Sequence, residues 1–167
     1  MRNTLVTIFA TIVVPGIFVF LLPYWILQTT GILPPSQVGA IEVVSILLAV
    51  VGAAMVVWVS FAFVSRGKGT PVPVDPPRAL VAEGLYRFVR NPMYAGALLI
   101  LFAESVFFRS AWILLYAAML WLALHSFTVF VEEPQLERRF GDAYRQYRDR
   151  TPRWIPRRPG GSSSRTP

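Results

Sequence analysis

The chain contains no cysteine, which excludes disulfides, thiolate nucleophiles and cysteine-based metal centres. A single histidine, His125, leaves too few nitrogen ligands for a zinc site, so no metal is expected. No Gly-x-Gly-x-x-Gly follows a strand-like run, and there is no phosphate-binding loop, so a soluble-type nucleotide domain is excluded. No Ser/His/Asp set stands out. Acid is scarce as well: 9 Asp and Glu face 16 Lys and Arg, for a net charge of +7. That balance raises the question of nucleic acid, but no recognition motif accompanies it. All the basic residues except Arg2 and Arg109 lie between Arg66 and Arg90 or from Arg138 onward. Both blocks flank apolar runs, as the positive-inside rule requires, so their role is orientation and no nucleic-acid partner is expected.

What is abundant is apolar sequence, 54% of the 167 residues, in runs too long for a soluble core of this size. The pattern predicts an all-α integral membrane domain over residues 1–156 with about four transmembrane helices, followed by a disordered tail over 157–167 rich in Gly, Ser and Pro. Residues 1–64 form two N-terminal spans. The first, Leu5 to Leu22, kinks at Pro15-Gly16; Pro23, Tyr24 and Trp25 follow it in place of a small-residue cleavage site, so it reads as a retained span and not a signal peptide. Gln28 to Gly39 reads as an outer loop. Ile41 to Val64, about 24 residues, is enough to cross a ~30 Å core with some tilt, and Gly52, Ala53 and Ala54 offer a small-residue patch for close helix packing.

From Ser65 to Glu83 the composition turns to Gly, Pro and the turn-forming Asp75-Pro76-Pro77, which predicts a loop; Ala79 to Val89 reads as a short interfacial helix. Asn91-Pro92 opens a third span reaching Phe108, and Arg109-Ser110 turns into a fourth, Ala111 to Val131. At ~1.5 Å per residue the third covers only ~25 Å. Beyond Glu132-Glu133-Pro134, Leu136, Phe140, Tyr144 and Tyr147 recur at spacings of 4, 4 and 3, the pattern of an amphipathic C-terminal helix. With four spans and Arg2 inside, both termini, both basic blocks and both polar motifs fall on the cytoplasmic side.

Two polar motifs carry the chemistry. In Arg90-Asn91-Pro92-Met93-Tyr94, Asn91 stands where a helix cap sits and Pro92 where its first turn begins. Snorkelling arginines and an interfacial tyrosine explain these residues structurally; equally, the free N–H groups of a helix start suit an anionic ligand group. In Glu132-Glu133, two carboxylates at the negative end of a membrane helix need compensation, either from Arg87, Arg90, Arg138 or Arg139, or from a ligand's cation or hydroxyls. His125, Thr128 and Glu132, spaced 3 and 4 apart, share one face of the fourth helix. A polar stripe in lipid faces a cavity or a partner helix, and Glu104 either partners His125 or sits near the outer surface.

The residues Leu80-Val81, Gly84, Tyr86, Arg90-Asn91-Pro92-Met93-Tyr94, Gly96, Glu132-Glu133, Leu136, Phe140-Gly141, Tyr144, Tyr147, Pro152-Arg153 and Pro156 resemble, in order, the pattern of the isoprenylcysteine carboxyl methyltransferase and phospholipid methyltransferase group. The resemblance covers roughly Gly67 to Pro156. It implies that residues 65–156 bind S-adenosylmethionine at the cytoplasmic face, with a small lipophilic acceptor entering from the bilayer. Carried over residue by residue, cofactor contacts fall on Arg78, Ala79, Leu80, Val81, Tyr86, Asn91, Pro92, Met93, Tyr94 and Glu132. Asn91 stands where family members often have His, and Thr128 where eukaryotic carboxyl-methylating members carry an arginine. A carboxylate acceptor needs alignment and desolvation but no base; an amine or hydroxyl acceptor needs one, for which His125 and Glu133 are the candidates. Two other readings are an NADPH-dependent membrane reductase of sterol-reductase-like layout and a non-catalytic membrane subunit.

Overall fold

Two prolines inside continuous helices decide how the long helices are built. A computed structural model describes residues 15–65, 80 and 82–157, and every structural statement concerns these. A π-helical turn, Ile17–Leu21, leads into α1 (Leu22–Thr30); α2 is Ala40–Ser65; a 3-10 turn, Gly84–Arg87, precedes α3 (Pro92–Phe107); α4 is Ala111–Phe127, and a second π-helical turn, Thr128–Glu132, leads into α5 (Glu133–Phe140) and then α6 (Asp142–Arg150). No strand occurs among the described residues.

Each π-helical turn comes immediately before a helix with proline in its first turn, Pro23 in α1 and Pro134 in α5. Proline has no N–H to donate and its ring clashes with the carbonyl one turn back. Widening the preceding turn absorbs the mismatch, so both helices run on where a stop would otherwise fall. This corrects two expectations. The first run does not end at Leu22: the helix continues to Thr30 and closes on Gly31 at φ 68°. Nor do Glu132 and Glu133 sit at a helix C-terminus; helical structure is continuous from Ala111 to Phe140, and the dipole argument does not apply to them. Two further corrections concern short elements. Among the described residues, the interfacial helix expected over Ala79 to Val89 is only the turn Gly84–Arg87. The C-terminal amphipathic helix is two helices, broken at Gly141, whose φ of 53° and ψ of −127° suit glycine alone.

Packing centres on α3, flanked by α2 and α4. Gly52 of α2 and Gly96 of α3 bring the two backbones together: a Cβ on Gly52 would lie 2.6 Å from the Gly96 carbonyl oxygen. Leu101, Ile113 and Val59 fill the interior around this crossing. Arg109, at φ 50°, reverses the chain between α3 and α4, and the Ser110 hydroxyl caps α4 by accepting from the Ile113 N–H at 3.3 Å. Arg109 then reaches back to Glu42 at 2.8 Å, while the other Glu42 oxygen accepts from the Gly39 N–H at the start of α2.

Large apolar side chains cover the outside of α2 and α4, among them Val57, Phe61, Met119 and Leu122, a surface that belongs against lipid. Among the described residues, two helices are long and apolar enough to cross a membrane, Ala40–Ala62 and Ala111–Phe140; Ile17–Thr30 and Pro92–Phe107 are shorter apolar helices. The described residues are accordingly all helix and loop, with two candidate membrane spans. Glu104 lies towards the Arg109 end of α3, in a groove of about 490 Å³ with Phe20, Pro23, Tyr24 and Phe108. It is ten residues, ~15 Å along the helix, from Tyr94.

Candidate functional site

The site forms where the start of α3 meets the second π-helical turn. Pro92 begins α3 with its fixed φ, and the Asn91 carbonyl accepts from the Ala95 N–H at 3.0 Å. The Asn91 side chain does not cap the helix: its amide instead donates to the Arg153 carbonyl at 3.3 Å. The first-turn N–H groups of α3 are therefore not covered by a side-chain cap.

One turn into α3, the Tyr94 hydroxyl donates to Glu132 Oε1 at 2.7 Å, and the buried Thr128 hydroxyl donates to Glu132 Oε2 at 3.3 Å. Tyr86 completes this side. Burial pushes its phenol well above the usual tyrosine range, and Tyr147 and the Glu132 charge add to the rise. Tyr147 holds the same segment by donating to the Tyr86 carbonyl at 2.8 Å. Its own phenol is raised by burial against the opposing influence of Arg90.

Glu133, next in sequence, is committed to different partners. Arg153 grips it as a fork, Nε to Oε1 at 2.6 Å and Nη2 to Oε2 at 2.9 Å, and Arg90 Nη1 adds a second ion pair at 2.9 Å. Only 12% of the Glu133 side chain and 11% of that of Arg90 are exposed. The Glu133 hydrogen bonds hold the Arg153 guanidinium above its ordinary value. Adjacent acids thus do different jobs: Glu133 is neutralised by arginines, whereas among the described residues Glu132 receives hydroxyls, those of Tyr94 and Thr128. Arg90 was among the arginines expected near the pair. Arg153 was not, although the closing Pro152-Arg153 dipeptide belongs to the pattern quoted above and was the signal that could have found it.

His125 lies on the same helix as Thr128 and Glu132 but contacts another group. Its Nδ1 accepts from the Trp154 indole N–H at 3.0 Å, and its ring packs against Trp121 and Trp154 at centroid distances of 5.4 and 6.1 Å. Glu104 is not its partner. Trp154 arrives on the segment that follows α6, which is pinned to the entry of α3 by two backbone bonds, Arg90 N–H to the Pro152 carbonyl at 2.8 Å and Arg157 N–H to the Phe88 carbonyl at 3.0 Å. Met93 and Leu80 are half-buried. Arg78, Ala79 and Val81 lie outside the described residues.

Residues 41–143 match the family model for phospholipid methyltransferase. A protein-S-isoprenylcysteine O-methyltransferase of Schizosaccharomyces pombe is 36% identical over 78 residues, 46% of this chain and 33% of that relative. The chain therefore matches about a third of the yeast protein's length. An uncharacterized protein of Haemophilus influenzae is 35% identical over 63 residues, 38% of this chain and the whole of that relative.

Proposed function

The chain belongs to the phospholipid methyltransferase family, and from that premise we propose that it transfers a methyl group from S-adenosylmethionine to a small lipophilic acceptor at the site around Tyr94 and Glu132. The observation that carries this reading is the Tyr94–Glu132 hydrogen bond, 2.7 Å across 38 positions of sequence. It joins two polar groups from separate apolar helices, and among the described residues no arginine pairs with the Glu132 carboxylate.

The residues present suit the cofactor's functional groups. S-adenosylmethionine has an ammonium and ribose hydroxyls that need acceptors, and a carboxylate that needs donors. Glu132 is an acceptor of the right charge. On the donor side stand the first-turn N–H groups of α3 and Arg90 Nε, a buried polar atom without a hydrogen-bond partner. When bound, the cofactor supplies an electrophilic methyl on a sulfonium sulfur. Glu132 binds the ammonium or the ribose hydroxyls, Tyr94 and Thr128 orient that carboxylate, and Tyr86 walls the site against water. Arg78, Ala79, Leu80, Val81, Asn91, Pro92 and Met93 complete the cofactor contacts.

The acceptor enters from the bilayer at the cytoplasmic face, a reading supported by the distribution of the basic residues. Its class is the carboxylate of an isoprenylcysteine-like compound or a lipid amine. A carboxylate is methylated by alignment and desolvation alone. An amine must first lose a proton, and the two candidates for the base are His125 and Glu133. Glu133 can serve only by releasing one of its arginines.

Calorimetric titration of the purified protein in detergent tests the cofactor. Saturable heat is expected with S-adenosylmethionine and with its demethylated product, and none with NADPH. Absence of signal for both methyl-cycle ligands overturns the proposal. Mass spectrometry of lipid extracts incubated with the protein and methyl-labelled cofactor then identifies the acceptor and separates O- from N-methylation.

A further inference from the structure

The segment 151–157 leaves α6 and turns back over the entry to α3. Thr151 is buried, and three bonds tie the segment to that entry: Arg90 N–H to Pro152, Arg157 N–H to Phe88, and the Asn91 amide to the Arg153 carbonyl. Arg153 adds the fork to Glu133. Trp154, between these anchors, reaches α4 and donates to His125 at 3.0 Å. The segment therefore bridges the two elements that carry Tyr94 and Glu132, by a route independent of the bond between those two residues.

We propose that the Trp154–His125 hydrogen bond latches this strap shut, and that both are positioning residues which set the spacing between the start of α3 and the Glu132 carboxylate. The inference rests on the cofactor reading above. Its chemistry settles a further point about His125. An indole N–H can only donate, so the Nδ1 facing it must be the lone-pair nitrogen, and the neutral ring carries its proton on Nε2. Held this way, the imidazole offers a donor, and its single free lone pair is occupied. With the latch closed, His125 is not the base of the reaction.

The test uses full-length protein in detergent. Trp154→Phe keeps an aromatic ring and removes the N–H; His125→Phe removes the acceptor; His125→Asn keeps one near the position of Nδ1. Trp154→Phe and His125→Phe are expected to speed hydrogen exchange at the Arg90 amide and to weaken S-adenosylmethionine binding about fivefold, the loss of one hydrogen bond, while His125→Asn is expected to retain more of both than His125→Phe does. The ¹⁵N spectrum of histidine-labelled wild type is expected to show the Nε2–H tautomer. Unchanged exchange in Trp154→Phe, or an Nδ1–H tautomer, overturns the latch. Faster exchange with unchanged affinity overturns the positioning role. If wild-type protein binds no S-adenosylmethionine, the proposed function fails, while exchange and tautomer still decide the latch.

Discussion

The Tyr94 phenol, in the first turn of α3, and the Glu132 carboxylate, in the second π-helical turn of the long helix 111–140, meet at 2.7 Å, so the bond between them reports whether α3 and that turn are aligned. Glu132 keeps the Thr128 hydroxyl when Tyr94 is lost. Tyr94→Phe is therefore expected to weaken S-adenosylmethionine binding by roughly tenfold, a hydrogen bond to a charged group, with little change in thermal midpoint. Glu132→Gln removes the charge itself and is expected to weaken binding at least as much. Calorimetry and thermal unfolding on the same preparations check both. Matching losses of stability in the two variants, with affinity intact, would reduce the pair to a packing contact.

Glu133 is expected to behave oppositely. Its carboxylate sits between two guanidiniums with little access to solvent, and removing it leaves both charges uncompensated. Glu133→Gln should destabilise the protein by about 3 kcal/mol, measured by denaturant unfolding in detergent. The contrast between neighbouring residues is the informative result: a stability defect at 133 and a binding defect at 132.

Helix starts and the helical face of the site were legible in the sequence because they depend on neighbours. Asn91-Pro92 marks a helix entry by local chemistry, and the Thr128–Glu132 spacing of four brings those side chains together on any helix. What spacing could not show is where chain segments far apart in sequence meet. Arg153 reaches Glu133 across 20 positions and Asn91 reaches the strap across 62. The prolines also misled for a physical reason. Pro23 and Pro134 look like stops under a strict 3.6-residue period, whereas one widened turn before each lets the helix continue. Conversely, the 4, 4, 3 spacing from Leu136 to Tyr147 runs through Gly141, where the backbone actually breaks, because periodicity does not register a single residue at positive φ.

Gly84 links the loop before α3 to the membrane helix behind it. Its φ is 60°, and a Cβ there would fall into the Trp58 indole of α2. Gly84→Ala combines backbone strain with a clash against a bulky ring, and is expected to cost 1–3 kcal/mol, on the order of other overpacked sites. The double variant Gly84→Ala, Trp58→Leu relieves only the clash. It should recover part of the thermal midpoint, and no recovery would mean that strain at φ 60° accounts for the whole effect.

The Gly52–Gly96 crossing makes the strongest claim about membrane packing, because here backbone meets backbone and no side chain can give way. A Cβ on Gly52 would meet the Gly96 carbonyl at 2.6 Å and Ile100 at 2.8 Å; one on Gly96 would meet the Gly52 carbonyl at 2.8 Å. Gly52→Ala or Gly96→Ala must push α2 away from α3, with the loss of close contacts along the interface, and each is expected to destabilise by about 1–3 kcal/mol. Gly16 supplies the control, since a Cβ there meets nothing within 4 Å and Gly16→Ala should not lower stability. Because Gly96 lies just two residues beyond Tyr94, the displacement also reaches the site. Gly96→Ala should weaken S-adenosylmethionine binding more than Gly52→Ala does, although both loosen the same crossing, and thermal unfolding paired with calorimetry on the three variants distinguishes that gradient from a uniform loss of folded protein.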